Sequence, residues 1–109
     1  MTNSSPARPG RAQAPPYQVL GDEARASPCL VLYLSEDEAE LLSYDYFVGG
    51  TRKGQELALR FSSATVGLRF GEGHDVGRIL EWVGGKKVYS FAQRSGECVI
   101  EVVKPEGEE

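Results

Sequence analysis

His74 is the only histidine in this 109-residue chain, and Asp75 follows it directly. A histidine beside a carboxylate is the minimum equipment for proton transfer near neutral pH. Catalysis also needs a nucleophile or a second acid within hydrogen-bond reach. The two thiols, Cys29 and Cys98, sit inside the apolar runs Cys29–Leu34 and Cys98–Val103, where reduced cysteine acts as a small hydrophobe. A small enzyme using His74 and Asp75 is therefore the weakest of three readings, and no residue is assigned a catalytic role. One histidine and two distant cysteines match no zinc spacing. The acidic run Ser35–Glu40 lacks the alternating oxygen ligands of a calcium loop. No metal or other cofactor is expected.

Gly71-x-Gly73-x-x-x-Gly77 follows a strand-like run and opens a helix-like one, the placement of a dinucleotide-binding turn. A helix N-terminus can hold a phosphate through its free N–H groups. Here the spacing is one residue too long, and Asp75 puts negative charge where the phosphate would lie. A glycine turn feeding a capped helix accounts for the same residues.

The aromatic run Tyr44-Asp45-Tyr46-Phe47 offers more. In a strand, Tyr44 and Tyr46 share one face and Asp45 and Phe47 the other. Tyrosine suits interfaces because it buries area and keeps a hydroxyl. Trp82 stands off the apolar stripe of its helix, beside the polar Lys86-Lys87. Tyr44, Tyr46, Phe47 and Trp82 form the predicted contact set for a protein partner or a second copy. Arg52, Lys53, Lys86 and Lys87 form a second set, suited to an anionic ligand or nucleic acid. The net charge of −4 argues against general nucleic-acid binding. Residues 17–47 carry seven acids against Arg25 alone, whereas 48–97 carry eight bases against five acids.

The elements that must position these residues are mostly strands. Leu57, Leu59 and Phe61 alternate with polar or small residues, and Val66, Leu68 and Phe70 repeat the pattern, so a hairpin with a loop somewhat longer than two residues is expected. Tyr17–Leu20 reads as an edge strand, and Cys29–Leu34 as a central strand buried on both faces. Ser35–Glu40 reads as a turn or the first turn of a short helix, Leu41–Val48 as an aromatic-rich strand, and Gly49–Gly54 as a glycine-rich loop. Val76, Ile79, Leu80 and Val83 fall on one helical face, with Asp75 as N-cap and Gly84-Gly85 as terminator. Lys87–Ala92 and Cys98–Val103 close the fold around a turn at 93–96.

Residues 1–16 hold four of the six prolines and no large apolar residue beyond Met1. They read as a disordered tail, and 104–109 as a flexible acidic one. Between them, 17–103 make one domain. Its predicted class is α+β: a single, mostly antiparallel sheet of about five to seven strands with one short helix near 75–83. A curled sheet, a small barrel and a half-sandwich all satisfy the pattern. The longest apolar run, Cys29–Leu34, is far too short to cross a membrane as a helix, and no export signal is visible, so a cytoplasmic location is expected. The leading functional expectation is a non-enzymatic interaction module that self-associates, since the chemistry is sparse and the core too thin to enclose a deep pocket.

Overall fold

The computed structural model describes residues 15–105. Most of the expected tails, 1–14 and 106–109, lie outside the described residues. Pro16, at the end of the first, is buried, and its carbonyl accepts a hydrogen bond from the Ala92 N–H at 2.8 Å.

The fold is α+β, but the single sheet of five to seven strands is corrected to two sheets of four. The first contains β1 (Tyr17–Val19), β2 (Cys29–Ser35), β3 (Glu38–Ser43) and β7 (Val88–Ala92), in the order β1-β7-β2-β3. The second contains β4 (Phe47–Lys53), β5 (Glu56–Phe61), β6 (Ala64–Phe70) and β8 (Cys98–Val103), in the order β4-β5-β6-β8. One helix, α1 (Val76–Gly84), joins β6 to β7.

The division arises at Tyr44–Tyr46, which forms a single 3-10 turn instead of the expected strand. Ser43 starts it by accepting the Asp45 N–H on its hydroxyl. Tyr44 anchors it: the ring is buried, and its hydroxyl donates to the Val88 carbonyl at 2.6 Å. The chain leaves the first sheet here, and Phe47 opens the second. After α1, β7 re-enters the first sheet between β1 and β2, antiparallel to one and parallel to the other. That parallel contact departs from the antiparallel neighbours expected of short gaps. It is possible because four strands and a helix supply the long crossover that parallel pairing requires.

The stretch 49–54, expected as a loop, is instead most of β4. Its glycines serve close approach. A Cβ on Gly50 would lie 3.0 Å from a Leu80 methyl and 3.1 Å from a Leu59 methyl, so glycine lets α1 lie tight against this strand. Only Gly54, with φ of 63°, acts as a turn residue. The hairpin of β5 and β6 is as predicted, but tighter: Phe61 pairs with Ala64, leaving Ser62-Ser63 between them.

The helix matches its expectation closely. Asp75 caps it by accepting the Arg78 N–H at 3.1 Å, and Val76, Ile79 and Val83 are buried. Its exit differs. The left-handed residue is Lys86, with φ of 61°, rather than a glycine. The Lys86 and Lys87 N–H groups then satisfy the Val83 and Trp82 carbonyls, each at 2.8 Å. The inner faces of both sheets and the buried side of α1 share one core, with Leu30 and Leu32 from the first sheet, Leu59 and Val66 from the second, and Ile79 from the helix all buried.

Candidate functional site

The sequence-selected residues disperse in three dimensions. Tyr44 is a core residue and offers no surface. Phe47 is half-buried, meeting Tyr44 and Phe61 edge-to-face with ring centroids 6.0 and 5.2 Å away. Trp82 packs beside Tyr17 at 6.3 Å, with the Arg78 guanidinium 5.2 Å over its ring. Only Tyr46, 56% exposed, is free for contact. Expecting Tyr44 and Tyr46 to share a strand face fails because a 3-10 turn sends successive side chains around an axis rather than to alternate sides.

The basic set divides likewise. Lys53 opposes Glu56 on the outer side of the second sheet. Arg52, one residue earlier, turns the other way. Its Nε donates to the Gly54 carbonyl at 3.0 Å, and its guanidinium lies so close to Gly77 that a Cβ there would be 3.2 Å away. Lys86 and Lys87 stand at the opposite end of α1, and Lys87 Nζ donates to the Ala24 carbonyl at 2.5 Å.

His74 is largely withdrawn from solvent. Its side chain is 16% exposed, and Nε2 lies 2.9 Å from Glu97 Oε1. Tyr17 and Phe70 flank the ring at 6.1 and 5.8 Å. Burial raises the Tyr17 hydroxyl pKa, and the Asp75 carboxylate raises it further. The Asp75 carboxylate itself is committed to capping α1. The glycines around this turn have structural uses: a Cβ on Gly71 would sit 2.3 Å from the Gly96 carbonyl oxygen, Gly73 has φ of 96°, and Gly77 makes room for Arg52. Cys98 is fully buried, and burial pushes its thiol up to about 12, with Arg94 pulling weakly the other way. Among the described residues, no cluster of three or more His, Cys, Asp or Glu side chains is placed to hold a metal ion.

What the sequence reading missed is a face. The strand β2 is buried on one side only: Leu30 and Leu32 point into the core, whereas Tyr33 is 49% exposed and Val31 half-buried. Register extends this outer side across the sheet. Gln18 opposes Ser90, Ser90 opposes Val31, and Val31 opposes Leu41. In the next row Ala92 opposes Tyr33, and Tyr33 opposes Ala39. Cys29 opposes Ser43 in a third. None of these residues is charged, and Leu41 is 64% exposed. The outer side of the second sheet is the reverse, carrying Lys53, Glu56, Arg60, Arg69 and Glu101. An antiparallel sheet facing water normally shows the second pattern. The available signal was the apolar run Cys29–Leu34 followed by Leu41, which alternation alone cannot separate from two-sided burial.

Compared with known proteins, the chain matches no family model, no curated protein and no solved structure.

Proposed function

We propose that this protein is a non-enzymatic interaction module that self-associates through the outer face of the β1-β7-β2-β3 sheet. One observation carries the reading: that face holds no charge across four strands, while the outer face of the other sheet holds five charged side chains. Depletion of charge, with exposed tyrosine and leucine, characterises the centre of protein interfaces. A second copy is the occupant because an uncharged face is its own complement. Two copies meeting there bury no unpaired ion, despite the chain's net charge of −4.

The size of the face sets the affinity. Four strands about 4.8 Å apart, averaging about five residues at about 3.4 Å each, give a footprint of about 330 Å². A stable interface uses about 800 Å² per partner. The face is thus the core of a weak, reversible contact, with dissociation in the micromolar to millimolar range. Sedimentation equilibrium of the full chain over that range is expected to show a monomer–dimer curve. Leu41→Lys places a cation on that face, on its edge strand β3, and is expected to weaken association at least about tenfold, equivalent to about 1.4 kcal/mol. Arg60→Ala, on the other sheet, leaves it unchanged. A strict monomer at every concentration, or dimers indifferent to Leu41→Lys, would remove the proposal.

A further inference from the structure

The outer face of the second sheet holds a groove of about 390 Å³. Its floor is the directly opposed pair Ala58 on β5 and Gly67 on β6. Thr51 and Lys53 rise on the β4 side, and Val99 and Glu101 on the β8 side. The volume lies within the range of small-molecule sites.

Gly67 is the informative residue. It sits inside β6, hydrogen-bonded on both sides by β5 and β8, where glycine is less favourable than alanine. Neither backbone nor packing requires it. Its φ lies outside the left-handed range, and a Cβ would meet nothing nearer than Glu101 at 3.9 Å, an ordinary contact. Gly50 and Gly71, by contrast, face atoms at 3.0 and 2.3 Å. The one consequence of a missing side chain at position 67 is a deeper groove, as happens where a ligand approaches a strand closely.

The walls specify the ligand. Arg69 and Glu56 pair with each other at 3.4 Å, and Arg60 donates to the Thr51 hydroxyl at 3.2 Å. Lys53 and Glu101, both lining the groove, enter no ion pair among the described residues. They stand on opposite edge strands, β4 and β8, three strand spacings apart and offset by two residues along the strands, about 16 Å apart at the backbone. Both side chains can lean inward over the floor. The charges of a free amino acid are too close together to reach both. An extended peptide of three or four residues spans about 10–14 Å between its termini.

We infer that this groove binds a short peptide with free termini, its carboxylate at Lys53, its ammonium at Glu101 and its backbone laid over Ala58 and Gly67. The site lies on the face opposite the proposed self-association surface, so either can fail without the other. Charge-assisted hydrogen bonds at both ends supply the selectivity for free termini.

Isothermal titration with tetra-alanine tests this on the full chain. Saturable 1:1 binding is expected, weakened at least about tenfold by N-acetylation or by C-amidation. Gly67→Val fills the floor and abolishes binding. A β-branched residue suits a strand, and a Cβ makes only an ordinary contact here, so this variant is expected to fold, which circular dichroism checks. Lys53→Ala weakens the free peptide but leaves the amidated one unchanged, and Glu101→Ala does the same for the acetylated one. Absent binding of tri- and tetra-alanine, equal affinity for the doubly blocked peptide, or full affinity in a folded Gly67→Val variant each overturns the inference.

Discussion

Tyr44 shows how one side chain can change role between sequence and fold. Its ring fills the core where the two sheets part, and its hydroxyl donates to the Val88 carbonyl at 2.6 Å. Tyr44→Phe keeps the ring but leaves that buried carbonyl without its donor. The expected cost is about 1–3 kcal/mol of unfolding free energy, measured by urea denaturation. Tyr46→Phe, which alters an exposed hydroxyl two residues on, is expected to change stability by less than about 0.5 kcal/mol. The contrast separates an anchoring tyrosine from a surface one.

At the scale of elements, α1 depends on its caps and on the turns that hold it. Nine residues do not form a stable helix alone, so the helix stands by packing onto β4, β5 and β7. Asp75→Ala leaves the Arg78 N–H without its acceptor and is expected to cost about 1 kcal/mol. Gly71→Ala is expected to cost more, roughly 1–3 kcal/mol, because its Cβ would meet the Gly96 backbone oxygen at 2.3 Å and no side chain can move aside. Thermal melts of the two variants should preserve that order. This same turn places His74 against Glu97, tying the entry of α1 to the β7–β8 connection.

For the whole molecule, burial links stability to alkaline pH. Burial raises the Tyr44 hydroxyl above its ordinary value, and pushes the Cys98 thiol from about 9 to about 12. Both groups are neutral acids in the fold with raised pKa values. Their contribution is fully present below the unfolded values and is lost as pH climbs towards the folded ones. Stability is therefore expected to be level up to about pH 8.5 and to fall above about pH 9, each group adding at most about 1.4 kcal/mol per pH unit. Cys98→Ala should flatten the first part of that decline in a series of melts. The two outer faces differ in character: one is uncharged, the other charged and grooved.

Local rules were enough to read much of this protein. The period-two run from Leu57 to Phe70 specified a hairpin, and Asp75 with the Val76-Ile79-Val83 stripe specified the helix and its buried side. Those signals depend only on neighbours in the chain, where side-chain direction follows from backbone period. The division into two sheets, the insertion of β7 between β1 and β2, and the exposure of Tyr33 and Leu41 were decided by tertiary structure alone. Each depends on pairing between distant segments. A continuous apolar strand looks the same whether its second face is covered or open. Tyr44 reads as an interface residue until the Val88 carbonyl, 44 positions away, arrives to accept its hydroxyl proton.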